Sequence, residues 1–507
     1  MSGNSLREVL LRRHWPIFLC LLAVWILLYL PHLRTNPAWY GDETLTLMIG
    51  KSLYAGIGAD RSLQATFWHP SYSYQPGYAW LAGWAASLSG GEIVGARFLN
   101  ALLAFMISLA IFFLGQRSFG RLPALLAALI FLTYGQTVIH FRWIYPHNAV
   151  ALGFTLTVLF LLRKSSWKSD WGAGAGLAIA AVSHPLFAHG AIAAWLCRVK
   201  RPISWVRMAM LPALAVVACL GWTLARQYPH LWALEDMGTL AKFYQNFSSD
   251  NGEGLQVFQN IWVFYSHDFF HIGSAIAAIV CCRRRFYAIA VFLVIVSGLL
   301  LQNRQNLPVF YYQAVVFLPV MAMAWAGALR TVQIELRQRL GTESWTRWFP
   351  AAFFAIPIVF FSQNVGPATS GTLVPRNHPW VTQNIGEVEA AAAWLNEHTE
   401  PQDLVICHQN IGWLLKSRTA DLMQATAWTG RSTFTFETTP ERTRFRYPAD
   451  LHAARFLVIG DIDQRWTLGQ PNVSWIVEEI SRVGWRIVWR GENYIIVENP
   501  NLEVGKL

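Results

Sequence analysis

The sequence predicts an α-helical polytopic membrane protein carrying a small soluble α/β domain at its C-terminal end. Three observations predict it. The 507 residues are 54% hydrophobic and only 14% charged, whereas charged residues make up roughly a quarter of a soluble globular chain. Apolar runs of helix length recur between residues 15 and 363, separated by short connections. After residue 376 the composition changes to alternating helix and strand signals.

A helix crosses a hydrocarbon core with about 20 apolar residues. That length divides the chain into about eleven expected spans, at 15–32, 93–115, 120–139, 147–163, 171–183, 186–198, 208–225, 257–280, 286–302, 309–329 and 348–363. The first run is followed by no small-residue cleavage site, so it reads as a retained helix.

Charge gives the orientation. Arg117, Arg121, Arg163, Lys164, Arg198, Lys200, Arg201, Arg283, Arg284, Arg285, Arg337 and Arg339 fall in alternate connections, while the longer opposite ones hold Arg34, Lys51, Arg61, Arg142, Arg226, Lys242 and Arg304. The positive-inside rule then puts the N-terminus in the cytoplasm and residues 364–507 outside the cell membrane. The same distribution argues against nucleic acid as the reason for the net charge of +11. The six cysteines have no metal-ligand spacing. The expected division is a transmembrane domain, 1–363, and an extracytoplasmic α/β domain, 364–507.

Two expected spans, 171–183 and 186–198, are too short to cross alone. The polar Ser183-His184-Pro185 turn and His189 between them predict a hairpin that turns below the outer surface beneath a wet depression. An ordinary tight hairpin with solvated histidines fits the same residues. In the outer loop 33–92, segments around Thr44–Tyr54 and Gly77–Leu88 predict interfacial helices, with Trp68, Trp80 and Trp84 at headgroup depth.

In the C-terminal domain, Glu387–His398 predicts an amphipathic helix and Asp403–Cys407 a buried strand. Arg455–Gly460 predicts a second strand and Val473–Val483 a helix. Residues 485–490 and 493–498 predict a hairpin closed near Gly491. No Gly-rich phosphate loop follows a strand, so no nucleotide is expected.

Chemistry concentrates on the outer side. Asp42 and Glu43 lie about ten residues past the first span. Near hydrocarbon an ionised carboxylate is costly unless it is solvated, paired or facing a wet cavity. His69, Arg142, Tyr145, His184, His267 and Arg304 are expected at the same rim. Carboxylates accept a hydroxyl proton, while Arg and His stabilise a departing phosphate. This set suits sugar transfer from a lipid phosphate outside the cell. Plainer roles fit each residue too: Asp42-Glu43 can cap the following helix, Arg142 can snorkel to headgroups, and Arg304 can sit in a solvated loop. His267 and His271 have metal-compatible spacing but no third ligand, so no cofactor and no metal is assigned.

The motifs Gly41-Asp42-Glu43, Ile49-Gly50-Lys51-Ser52-Leu53-Tyr54-Ala55-Gly56, His69-Pro70 with Gln75-Pro76-Gly77-Tyr78, Gly95-Ala96-Arg97-Phe98-Leu99-Asn100 and His140-Phe141-Arg142-Trp143-Ile144-Tyr145-Pro146 carry a resemblance. In their order along residues 15–200 they resemble the polytopic C-superfamily (GT-C) glycosyltransferases, which include protein O-mannosyltransferases and lipid A aminoarabinose transferases. The resemblance implies a polyprenyl-phosphate-linked sugar as donor, a glycan, lipid or protein acceptor, and an outer-loop aspartate as base, here Asp42. Glu43 then orients the site. The alternative is a transporter or flippase for lipid-linked sugars, but such a carrier is expected to have paired internal repeats, which the sequence lacks.

Overall fold

The computed structural model describes residues 3–54, 76–227, 254–282, 286–301, 311–340, 348–373, 380–433, 441–470 and 472–505. In chain order its longer elements are α1 (Gly3–Tyr29), α2 (Gly41–Tyr54), α3 (Gly77–Ser87), α4 (Ile93–Phe119), α5 (Arg121–Thr133), α6 (Gly135–His140) and α7 (Pro146–Leu161). Then come α8 (Trp167–Ala181), α9 (Phe187–Arg198), α10 (Pro202–Gln227), α11 (Gly254–Tyr265), α12 (Phe269–Cys282), α13 (Tyr287–Leu301), α14 (Leu318–Leu340) and α15 (Ala355–Ser370). Two compact units result. One comprises Met1–Leu33, Phe98–Leu224 and Leu231–Leu373, the other Arg34–Arg97, Ala225–His230 and Val374–Leu507.

The first unit is helical. Its helices are joined by polar groups that find partners on neighbours rather than in lipid, as a low-dielectric surrounding requires. Trp25 Nε1 donates to the Ala101 carbonyl at 2.6 Å, and Tyr29 Oη donates to the Leu132 carbonyl at 2.9 Å. Asn148 Nδ2 donates to Asn100 Oδ1 at 2.8 Å, tying α7 to α4. Helices α7 and α8 meet at Gly153 and Gly176, where a Cβ on Gly153 would stand 2.5 Å from the Gly176 carbonyl oxygen. Only glycine allows that approach.

The membrane-crossing inventory of the described residues is smaller than the eleven spans expected. Among the described residues, Ile93–Phe119, Pro202–Ala225 and Phe349–Ser370 are long and apolar enough to cross. A fourth span results if Phe258–Tyr265 and Phe269–Cys282, bent by 116°, are one broken crossing. The difference has a local cause. The expected span 120–139 is broken at Tyr134, which is extended (φ −66°, ψ 131°) between α5 and α6. Other apolar runs fold into helices such as Pro146–Leu161 and Tyr287–Leu301, which are shorter than a full crossing.

The second unit packs α2 and α3 with an α/β fold. That fold contains α16 (Ile385–His398), β1 (Leu404–Ile406), α17 (Gln409–Gly412), β2 (Arg418–Ala420), α18 (Leu422–Trp428), β3 (Ala454–Ile459), α19 (Asp461–Arg465), α20 (Trp475–Val483), β4 (Arg486–Arg490) and β5 (Ile495–Glu498). The sheet order is β2-β1-β3-β5-β4. β1 runs parallel to β2 and β3, while β5 is antiparallel to β3 and β4. Leu404, Ile406, Leu422, Leu451, Leu457, Ile476 and Val497 share the hydrophobic core. The two expected helices, two strands and hairpin all appear. The three-residue strand β2 was not anticipated, because Arg-Thr-Ala carries no strand periodicity.

Helices α2 and α3 occupy the two segments of loop 33–92 where helices were expected. α3 exposes Trp80, Trp84 and the adjoining Leu88. α2 is instead enclosed: Glu43 through Gly50, Ser52 and Leu53 are all buried. It crosses α3 at Gly50 and Gly83, where a Cβ on Gly83 would stand 1.9 Å from the Gly50 carbonyl oxygen.

Candidate active site

The acidic pair opens α2, and its two carboxylates have opposite surroundings. Glu43 is fully buried, and Arg97, at the start of α4, is fully buried against it. Arg97 Nε meets Glu43 Oε1 and Nη2 meets Oε2, both at 2.7 Å, a parallel two-bond fork. Arg97 Nη1 also donates to the carbonyls of Pro37 at 2.9 Å and Arg34 at 3.3 Å. The Tyr40 N–H donates to Glu43 Oε2 at 3.3 Å. Glu43 is thereby spent on fixing residues 34–43.

Asp42 is half-buried. Among the described residues, its carboxylate has one partner, the Tyr40 hydroxyl, which donates to Oδ2 at 3.3 Å. Burial pushes its pKa up to about 6, and the Tyr40 hydrogen bond opposes that rise. A carboxylate in that state is more basic than one in water, and among the described residues it has no fixed counter-ion. It can take a proton from a hydroxyl brought to it.

The segment bearing both acids is held by the C-terminal part of the same unit. The Gly41 N–H donates to the Trp380 carbonyl and the Thr382 N–H to the Trp39 carbonyl, each at 2.9 Å. Tyr40 and Val381 form an antiparallel bridge. Thr44 Oγ1 donates to Asn410 Oδ1 at 2.7 Å. Arg34 pairs with Glu92 at 3.3 Å and also with Glu389. A Cβ on Gly41 would stand 3.2 Å from His408 Cε1. Burial, helped by Arg465, holds the His408 pKa down to about 3, so its ring is neutral. Sequence reasoning missed Arg97, Asn410 and His408 as parts of this site. Only Arg97 had a signal, as the arginine of Gly95-Ala96-Arg97-Phe98.

The other expected site residues are distributed elsewhere. Arg142, Tyr145, His184 and His267 belong to the helical unit. Arg142 does not reach outward to headgroups: it is fully buried, and it donates to the carbonyls of Leu28 at 3.2 Å and of Pro31. It therefore caps the end of α1. Tyr145 and His184 converge on His147. The Tyr145 and His147 rings are 6.0 Å apart, and the His147 and His184 rings are 4.4 Å apart. His184 Nδ1 accepts the Leu186 N–H at 3.2 Å.

His267 is exposed at the break between α11 and α12. Beside it, Asp268 Oδ1 meets His271 Nδ1 at 2.8 Å and Tyr134 Oη donates to Asp268 Oδ2 at 2.5 Å. His69 and Arg304 lie outside the described residues. Among the described residues, no three His, Cys, Asp or Glu side chains are placed to hold a metal ion.

The family described as dolichyl-phosphate-mannose-protein mannosyltransferase matches residues 69–229. No curated protein matches the chain in sequence. In structure the chain is similar to ArnT from Cupriavidus metallidurans bound to undecaprenyl phosphate, with a TM-score of 0.63 and 14% identity over 96% of this chain and 98% of that one. It is also similar to the archaeal oligosaccharyltransferase AglB from Archaeoglobus fulgidus, in complex with an inhibitory peptide and a dolichol-phosphate. There the TM-score is 0.53 and the identity 11%, over 89% of this chain and 70% of that one. For arabinofuranosyltransferase AftD from Mycobacteria the values are 0.51 and 14%, over 96% of this chain and 40% of that one. The chain resembles the GT-C glycosyltransferases in fold.

Proposed function

We propose that the protein is an integral membrane glycosyltransferase that moves a sugar from a polyprenyl-phosphate donor to an acceptor hydroxyl at the outer face of the membrane. The observation that carries this reading is the division of labour in the acidic pair: Glu43 is locked onto Arg97, while Asp42 keeps a raised basicity and a phenol as its one protein partner among the described residues. The fold shared with ArnT and its relatives supports it.

In the proposed reaction the acceptor O–H gives its proton to the Asp42 carboxylate as the oxygen attacks the anomeric carbon. The bond from that carbon to the phosphate oxygen breaks, and polyprenyl phosphate leaves with the electron pair. A single displacement inverts the anomeric configuration. The departing phosphate is assigned to the cationic and imidazole groups of the outer rim, His184, His267, Arg304 and His69. Tyr145 is assigned to the same donor-binding set. Arg142, of the same set, holds the end of α1.

The membrane placement completes the proposal. About eleven crossings, several of them by short or broken helices, place the N-terminus in the cytoplasm, following the positive-inside rule. The domain of residues 1–363 spans the membrane, and residues 364–507 lie outside with Asp42. α3 rests in the membrane interface through Trp80 and Trp84. Acceptors of the glycan, lipid or protein class all offer the required hydroxyl.

The test is to incubate the purified protein with a panel of polyprenyl-phosphate sugars and measure released lipid phosphate. Release by the unmodified protein and its loss in Asp42→Asn are expected. Equal release by both would remove Asp42 from the mechanism. Labelling a cysteine placed next to residue 42 with an impermeant reagent should succeed from outside intact cells, and labelling from the cytoplasmic side alone would overturn the orientation.

A further inference from the structure

The role of the C-terminal α/β fold is not disclosed by its sequence. In open parallel sheets, ligands bind beyond the carboxyl ends of the strands, where the strand order reverses. The order β2-β1-β3 places that reversal between β1 and β3. The residues leaving those two strands include His408 and Asn410 after β1 and Asp461 after β3. This end of the sheet is engaged by the chain's own residues 39–44.

The contact is specific and buried. Thr44, Asn410 and Thr382 are all buried. The Thr44 hydroxyl donates to Asn410 Oδ1 at 2.7 Å and shares its proton with the Gly41 carbonyl at 2.9 Å, and Asn410 Nδ2 donates to Thr382 Oγ1 at 2.5 Å. Thr382 returns a backbone bond to Trp39, and Trp380 accepts from Gly41. Asp461 supports the strip from below: its Oδ2 accepts the Gln383 N–H at 2.6 Å and pairs with Arg465 at 3.1 Å. Arg465 Nη2 donates to the Val381 carbonyl at 2.7 Å. Asp42 thus sits between residues tied on both sides to the α/β fold. Among the described residues, the charged and titratable groups facing this turn are Tyr40, Glu43 with Arg97, and His408 with Arg465 behind it.

We propose that Asn410 is a positioning residue of the transfer site: it holds the first turn of α2 through Thr44 and so fixes Asp42 for proton transfer. The C-terminal domain is by this account part of the catalytic apparatus rather than an appended recognition module. The inference rests on the Asp42 reading above, and it deepens that reading.

The experiment uses the full-length protein in detergent, with Thr44→Val, Thr44→Ser and Asn410→Leu. Thr44→Val keeps the shape and deletes the hydroxyl, while Thr44→Ser keeps the hydroxyl. Amide exchange at residues 40–44 is expected to quicken about tenfold or more in Thr44→Val and Asn410→Leu, with residues 46–53 unchanged and Thr44→Ser near the unmodified protein. With the donor sugar that the unmodified protein consumes, kcat should fall about 100-fold, since loss of orientation costs that much, at unchanged donor KM.

The lower limb of the pH–rate profile should move from near 6 toward the ordinary aspartate value of about 4, as Asp42 gains water. A merely structural contact would not move that limb. Thr44→Val also removes the bond to the Gly41 carbonyl, so Asn410→Leu is the deciding variant: unchanged exchange at residues 40–44 in it overturns the inference whatever the activity. Faster exchange in a protein whose Asp42→Asn variant stays active overturns the functional reading and leaves the clamp standing.

Discussion

Arg97 and Glu43 form a two-bond ion pair, with Nε–Oε1 and Nη2–Oε2 both at 2.7 Å and both side chains fully buried. A pair of this kind contributes less as net attraction than its removal costs, because deleting one partner strands the other charge in a low-dielectric site. The pair sets the frame from which Asp42 projects.

Arg97→Leu should lower stability by about 3–5 kcal/mol, the usual cost of stranding a buried charge. Thermal unfolding in detergent measures it. Arg97→Lys should fall between the two, since an ammonium keeps the charge but not the planar fork. Equal stability of all three proteins would mean that the pair is not buried in the native state.

Asp42→Asn separates chemistry from folding. Removing a general base costs about 100- to 10,000-fold in rate, and transfer assays should show a loss of that order. The melting temperature at pH 7 should not fall, because the native site holds the ionised carboxylate at a disadvantage. A melting temperature several degrees lower would make Asp42 a structural cap.

The pH dependence follows from the same group. Asp42 accepts a proton only when ionised, so kcat/KM should rise as pH increases through about 6 and level off above it. Its native pKa lies above the unfolded one. Stability therefore declines as pH rises from the unfolded value, about 3.9, through the native one, and Asp42→Asn should flatten that slope. Tyr40→Phe removes a hydrogen bond that favours the charged form and should shift the kinetic limb upward.

Gly83→Ala should be poorly tolerated. Its Cβ would meet the Gly50 carbonyl carbon and oxygen at 2.1 and 1.9 Å, so α2 and α3 must separate. Overpacking of this kind costs typically about 1–3 kcal/mol, read as lower yield of folded protein and a lower melting temperature. An unchanged melting temperature would show that the crossing is loose.

Much of this architecture was legible before any coordinates. Apolar runs and the change after residue 376 marked the helical part and the α/β part, because burial periodicity is written locally. Asp42 and Glu43 stood out because adjacent acids beside apolar runs are costly. The count of crossings was less legible, since hydropathy does not register where Tyr134 turns extended and breaks a helix.

The pairings were not legible at all. Nothing local distinguishes Arg97 from other arginines at the edge of a span, or Arg142 from one that snorkels, and Asn410 sits in a short turn more than 360 positions from Thr44. The sequence by itself determined the composition, the helix-rich class and the presence of an acid in the loop after the first apolar run. Tertiary structure decided which acid is neutralised and which keeps its basicity. Burial and counter-ions are properties of neighbours brought in from distant parts of the chain, and folding alone supplies them.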